Sequence, residues 1–574
     1  MLNLGAHRLT GRGLAIRWAG IQRARILIPL LVAVVLSVAP AHVQASTPYV
    51  IYTANNFADG AVILRTNPAA GSLVEVSRNG AQGNLFHRPF DVAVEANGNL
   101  VVVDMGVPNR KDGAVIRVDP VSGRQSLVSS GGSFYDPAGI AVGPGGVLYV
   151  VDNLAADNNG GVIRVDPRTG AQTLIASNNP VGLFDLPFGI AVDRDGSLVV
   201  VNRRTAGALP TTCLPSGNVI RVNPATGAQS LISAAGDLAL PLGVAIGADR
   251  TIVVANECTG AAGLVGIPLL GAIQRILTYN NTADVLRTPE RVAFDPDGNL
   301  LVSDYRLGAD FDGGIVQVDP ETQSQSVLQT GDLFNHPLGI AAVANRPPTA
   351  ALAIARSAVA AGRRVTLDAS GSRDPEGLRL VYEWDLDGDE TFERGSGTTS
   401  TATPRFAVDG PKTVAVRVND PHGGRAVAVG TLEVDGSLPM VTRLRSAARV
   451  LAVPARRKRA RGSAARAARP PSSTSIRFRL SEAASVRLTV ERARSGRRAR
   501  GGPCRPKAKR GRRCTAWSRV RLIKRSGRAG ENAIALRARG LTPGSFRVVL
   551  AAVDEVGNRS PRRTLALRVV RQAP

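Results

Sequence analysis

The chain has 574 residues, 44% of them hydrophobic but only 4% aromatic, with 61 Gly, 36 Pro and a formal net charge of +26. No single hydrophobic core serves such a length, so roughly three or four compact units are expected; abundant Gly, Pro and Val without sustained helical periodicity excludes a helical bundle and points to an all-β protein. The charge is uneven, because from Ser437 onward 37 Lys and Arg face 5 Asp and Glu, while the rest of the chain is mildly acidic.

Residues 1–45 read as a secretory signal: Arg8, Arg12, Arg17, Arg23 and Arg25 precede the apolar run Ile26 to Val38, and Val43-Gln44-Ala45 supplies small residues at the cleavage positions. The apolar run is interrupted by Pro29 and falls short of the roughly 20 residues that span a bilayer, so no membrane span is expected after cleavage. A secreted, extracellular chain with cell-surface association is the expectation. All four cysteines lie beyond the signal, and an even count in an oxidising compartment pairs Cys213 with Cys258 and Cys504 with Cys514.

Residues 46–345 repeat a Pro-x-Gly-Ile-Ala-Val motif six times, at Pro89, Pro137, Pro187, Pro241, Pro289 and Pro337, with roughly 48 to 54 residues between copies. Each unit carries four strand-like runs separated by turns. The second shows Gly139 to Val142, Val147 to Val151 ending on Asp152, Gly161 to Val165, and Ala171 to Ile175 after the turn Asp166-Pro167-Arg168-Thr169-Gly170. The segment Tyr49 to Val76 has the second, third and fourth runs but no first, and Pro337 to Ala342 supplies a first run alone. One blade is therefore shared by the two ends of the array, which predicts a closed six-bladed β-propeller without a free sheet edge.

This pattern resembles the NHL family and its six-bladed relatives, the senescence-marker and gluconolactonase-like hydrolases. The resemblance implies that first strands line a central channel and that ligands bind where the loops before the first strand and after the second converge. In the hydrolases a divalent metal is held partly by residues directly after the opening proline. Here those positions are Phe90, Ala138, Phe188, Leu242, Glu290 and Leu338, and only Glu290 can ligate a hard cation.

Other candidates lie on the same face. A ring of Asn55, Asp104, Asp152, Asn202, Asn256 and Asp304 closes the second strands and could bind a cation or polar ligand, or hold the following turns by hydrogen bonds. Phe90 and Phe188 join that ligand face. His87 and His336, the only propeller histidines, could make a metal site with Glu290. The longest loops after second strands, Arg203 to Ser216 and Glu257 to Leu270, contain Cys213 and Cys258.

Residues 346–436 read as a β-sandwich. Pro347-Pro348-Thr349-Ala350, Asp368-Ala369-Ser370-Gly371-Ser372, Tyr382-Glu383-Trp384-Asp385 and Val418-Asn419-Asp420 resemble the PKD domain, which implies spacing or adhesion. Within it Asp385, Asp387 and Asp389 alternate beside Gly388 with Glu393 further on, a candidate calcium loop and the only cofactor expectation. Residues 437–474, centred on Arg456-Arg457-Lys458-Arg459, read as a basic flexible linker, and 475–574 as a basic immunoglobulin-like sandwich with a disulfide-closed insertion.

With only Trp517 near the arginines, no nucleic acid is expected as a partner, and anionic cell-surface polymers are. The functional expectation is a non-enzymatic binding or adhesion protein with an extracellular protein or polysaccharide ligand. The alternative is a metal-dependent propeller hydrolase or lyase.

Overall fold

The computed structural model describes the chain except residues 1–45, 57–59, 108–109, 156–159, 179–181, 204–215, 259–261, 269–272, 280–284, 309–310, 332, 454–469, 500–501, 507–508 and 573–574. The signal segment, Cys213 and the Arg456 to Arg459 cluster fall outside the described residues.

The described part is all β. Five four-stranded antiparallel sheets begin at Pro89, Pro137, Pro187, Pro241 and Pro289, and we number them blades 1 to 5. Blade 6 combines Pro337–Ala344 as its inner strand with Tyr49–Asn55, Val62–Asn67 and Ser72–Arg78, and the register runs from Tyr49 opposite Ala344 to Asn55 opposite Pro337. The inner strands contact one another in cyclic order, which closes the ring.

Glycine permits this close approach. A Cβ on Gly139 would lie 2.5 Å from the Phe188 carbonyl oxygen, one on Gly189 2.5 Å from that of Leu242, and one on Gly339 2.6 Å from the Asp91 Cα. Between blades 2 and 3, Val151, Val162, Ile190, Val200 and Ile220 form one buried cluster, and equivalent clusters lie between other blades. Burying each such side chain contributes about 1.5–3 kcal/mol. Glutamines at the start of fourth strands clamp neighbouring blades: Gln125 Nε2 donates to the Arg78 carbonyl at 3.0 Å while Oε1 accepts from Leu85 N–H at 2.9 Å, and Gln172 and Gln229 repeat the arrangement.

The next module is a sandwich of a three-stranded sheet (Ala353–Ile354, Leu367–Asp368, Thr401–Ala402) on a five-stranded one (Ala358–Ala360, Arg425–Asp435, Gly410–Asn419, Val381–Asp385, Arg394–Gly397). Its core centres on the fully buried Trp384, whose indole N–H donates to Ser396 Oγ at 3.0 Å. The module meets the propeller on the face away from the strand-opening prolines. There the Tyr52 hydroxyl lies 2.9 Å from His422 Nδ1, and the Gly98 turn of blade 1 packs on Pro421 and Leu378. Burial and the Arg65 guanidinium push the His422 imidazole down to about 4, so it is neutral.

The last module repeats the sandwich topology strand for strand, including a short parallel pair, Val450–Val453 with Arg563–Arg571, that matches Ala358–Ala360 with Arg425–Asp435. Of the linker expected over residues 437–474, this corrects the described parts, residues 437–453 and 470–474. Val441–Ser446 and Val450–Val453 are strands, because Val441, Leu451 and Ala452 enter the core and Leu444, between the exposed Arg443 and Arg445, packs against it. The basic insertion is closed by its disulfide as expected, and the strands on either side of it extend further than the sequence indicated. Ala484–Arg498 pairs with Arg512–Gly527 as one long hairpin, with Cys504 and Cys514 disulfide-bonded near its tip.

Candidate functional site

The Asn and Asp ring closes the second strands as expected, but all six side chains are fully buried. Asp104 accepts N–H bonds from His87, Arg88 and Gly106, Asp152 from Tyr135, Asp136 and Leu154, and Asp304 from Arg287, Thr288 and Arg306, all at 2.6–3.1 Å. They staple the loop before the inner strand to the loop after the second. In the three Asn blades the amide also donates: Asn202 accepts the Asp185 N–H at 3.1 Å but donates to the Leu183 carbonyl at 3.0 Å, Asn256 donates to the Asp237 carbonyl at 2.9 Å, and Asn55 donates to its own strand at the Thr53 carbonyl. In those same blades the residue before the proline (Leu186, Leu240 and His336) has φ of 55°, 54° and 56°. A left-handed residue in place of an extended one costs about 1–2 kcal/mol and turns its N–H elsewhere, in His336 to the Asp312 carbonyl at 2.9 Å. Asp or Asn at this position therefore records which way the preceding loop runs.

The mouth of the channel is apolar. Ala138, Phe188, Leu242 and Met105 form one buried cluster with Phe90 and Leu186 packed against it, and the Phe90 and Phe188 rings are 6.0 Å apart. Below them the channel is crossed by a charge pair that the repeat conceals. Asp91 and Arg291 occupy the position filled by Gly139, Gly189, Gly243 and Gly339 in the other blades. Arg291 is 4% exposed; its guanidinium donates to the carbonyls of Ala138 at 2.9 Å and Phe188 at 3.4 Å, lies 5.2 Å from the Phe90 ring and 3.8 Å from an Asp91 oxygen. Asp91 also accepts the N–H of Ile140 from blade 2. One side chain thus ties blades 1, 2, 3 and 5 and closes the channel beneath its mouth. The break in the glycine pattern is the sequence signal that marks it.

Glu290 is the one polar residue among the six that follow the opening prolines. Burial, with help from the Glu257 and Asp304 carboxylates and against Arg291 and Arg203, pushes its carboxyl up to about 8. At neutral pH its environment therefore favours the protonated form. Beside it Arg203 pairs with Glu257 and lies 5.3 Å from the Phe188 ring, while Tyr305 stacks on His336 at 4.0 Å between centroids and 22° between planes. Blades 3 to 6 therefore contribute one asymmetric polar sector. Arg203, Glu257 and Tyr305 were not singled out from sequence, although each lies immediately after a second-strand Asn or Asp.

The proposed trio does not assemble. His87 is exposed, and neither of the two groups among the described residues that bring three or more ligand atoms within 4.8 Å contains His87, Glu290 or His336. One of those groups is the predicted loop of Asp385, Asp387, Asp389 and Glu393. Asp385 is buried and already accepts the N–H groups of Asp387, Gly388 and Glu390, while the other three are exposed. Cys258 is buried and disulfide-bonded, its expected partner Cys213 lying outside the described residues.

Residues 345–434 match the family profile of the PKD domain. The second module is a PKD domain. No curated protein sequence matches the chain. Among solved structures, the extracellular domain of a one-component system from B. thetaiotaomicron is 12% identical over 68% of this chain and 56% of its own, with a TM-score of 0.33. A Bacteroides thetaiotaomicron VPI-5482 protein of unknown function is 14% identical over 51% and 84%, with a TM-score of 0.33, and a gluconolactonase-family protein 14% over 45% and 86%, with a TM-score of 0.29. The chain thus spans a little over half the length of the sensor domain, and scores this low carry no functional argument. No helix among the described residues is long and apolar enough to cross a membrane.

Proposed function

We propose that the chain is an extracellular binding protein. Its propeller would recognise a protein or polysaccharide ligand at the sector around Glu290, with the PKD domain as spacer and the basic last module as an anchor on anionic cell-surface polymers. The observation that carries this reading is the channel mouth: where the resemblance to the hydrolases calls for metal ligands, Phe90, Ala138, Phe188 and Leu242 form a continuous apolar floor. An apolar floor beside a few convergent polar groups suits recognition of a ligand with both kinds of surface. The long hairpin supports the anchor, since Arg494, Arg498, Arg512, Arg513, Arg519 and Arg525 project along it with few carboxylates to answer them. Its one tryptophan lies 4.5 Å from the Arg547 guanidinium, an occupation that argues against base stacking.

A glycan and extracellular-protein binding screen of the whole chain tests the head. Tyr305→Ala and Arg203→Ala should each weaken any hit at least tenfold, and unchanged affinity in both would remove the sector from consideration. Cell-bound protein should be released by about 0.5 M salt, where the Debye length falls to about 4 Å.

One observation favours a second reading, a metal-dependent hydrolase or lyase acting on a small molecule or polysaccharide. A carboxyl that keeps its proton at neutral pH is suited to general acid catalysis, and Glu290 is one. Turnover of lactone or glycan substrates that requires added divalent metal and is lost in Glu290→Gln would establish that reading instead.

A further inference from the structure

We propose that Asp435, Glu482 and Asp554 form a calcium site that locks the joint between the PKD domain and the last sandwich. Asp435 ends the last PKD strand, Glu482 lies in the turn between Ser473–Leu480 and Ala484–Arg498, and Asp554 opens the turn after Gly544–Val553. Carboxylate oxygens from these three segments lie within 4.8 Å of one another. Two oxygens on opposite sides of a calcium ion, each at about 2.4 Å, are about 4.8 Å apart, so one ion can span the group. All donors are oxygens, the choice of a hard cation.

Two further observations point to a cation. Asp554 is 9% exposed; its Oδ1 accepts the N–H groups of Gly557 and Asn558 at 2.7 Å, but its Oδ2 is buried without any hydrogen-bond donor. An ionised oxygen left so is costly unless something positive faces it. Nor does an arginine answer the group, in a module where 37 basic residues face 5 acidic ones. Glu491 pairs with Arg547 at 2.6 Å and Glu531 with Arg443 at 3.9 Å, whereas Asp435, Glu482 and Asp554 have no ion pair among the described residues.

The site would act on the joint. Asn558 Nδ2 donates to the Asp435 carbonyl at 2.9 Å, and the Asp435 side chain accepts from Ser437 N–H and Oγ, so the turn carrying Asp554 and the connecting segment both hang on Asp435. A cation joining the three carboxylates would fix the direction in which the basic module leaves the PKD domain.

The test uses the whole chain stripped with chelator, titrated with calcium chloride and followed by thermal melting of the last module through Trp517 and by calorimetry. About 1 mM calcium should raise that melting temperature by roughly 5 °C, and an equal concentration of magnesium by much less. Glu482→Gln should melt at or above wild type in chelator, because one repelling charge is gone, and should lose the calcium shift with affinity falling at least tenfold. Asp387→Asn/Asp389→Asn, in the other acidic loop, should keep it. No calcium shift in wild type at about 10 mM would overturn the site. A shift retained by Glu482→Gln, lost in the Asp387 and Asp389 variant, or equalled by magnesium would overturn it too.

Discussion

Replacing Arg291 by methionine keeps the bulk of the side chain that crosses the propeller channel but removes its charge, and leaves the Asp91 carboxyl in the interior without its charged partner. At 3.8 Å and an effective dielectric constant of about 20, the attraction between the two charges is about 4 kcal/mol, and loss of one partner of a buried pair typically costs about 3–5 kcal/mol. Both groups are at most one-tenth exposed, so solvent screens little of this. The expected loss for Arg291→Met at pH 7.5 is therefore about 3–5 kcal/mol, and Asp91→Asn in the same chain should recover about half, because no uncompensated charge then remains. Burial already holds the Asp91 carboxyl above its ordinary value while Arg291 opposes the rise. A carboxyl raised in the folded state stabilises below the unfolded pKa and loses that contribution as pH rises through the folded one. Without Arg291 the raised value climbs further, so the variant's deficit should be smaller at pH 4 than at pH 7.5. None of the three tryptophans, Trp18, Trp384 and Trp517, lies in the propeller, so the assay is hydrogen exchange of Pro89–Val94 and Pro289–Phe294 at both pH values. Additivity of the two substitutions within about 0.5 kcal/mol, or a deficit independent of pH, would refute the coupling.

Asp152, pushed up to about 7 chiefly by burial, should destabilise blade 2 progressively between pH 4 and pH 7, and Asp152→Asn should flatten that dependence in a urea titration. His422 runs the other way: its folded value of about 4 lies below the ordinary 6.5, so stability of the propeller–PKD contact is full above pH 6.5 and falls as pH drops toward 4. Faster proteolysis at the Asn345–Arg346 connection at pH 5 than at pH 7.5 is the expected sign. Tyr52→Phe strands the His422 ring nitrogen and should cost about 1–3 kcal/mol, measured as the loss of that contact's protection in hydrogen exchange. Asp385→Asn weakens the acceptor of three backbone N–H groups and should lower the PKD melting temperature, with or without calcium, monitored at Trp384.

The propeller was legible because a blade is a unit that must be repeated to bury its faces, so proline, glycine and apolar runs recur at a fixed period and the missing first strand at Tyr49 reappears at Pro337. What the repeat hid was its own exceptions. Asp91 and Arg291 replace glycine in two blades, but aligning copies by what they share passes over what only two of them have. The direction of the loops before the prolines was written in the Asp and Asn alternation, yet it emerges only once the Asp104, Asp152 and Asp304 carboxylates are seen accepting backbone N–H groups. In the last module, Val441 and Leu451 sit among arginines, so two short edge strands looked like linker. The Arg512–Gly527 strand is exposed along most of its length and shows little apolar alternation. The site sector is a tertiary product: Arg203, Glu257, Glu290, Tyr305 and His336 come from four blades and nothing in their spacing announces their meeting.

The most direct test of the account is a ligand screen of the whole chain in parallel with an assay for turnover, each with wild type, Tyr305→Ala and Glu290→Gln, with and without divalent metal. The account predicts a ligand bound without turnover, with affinity independent of added metal and reduced at least tenfold by Tyr305→Ala. Metal-dependent turnover abolished by Glu290→Gln would contradict it.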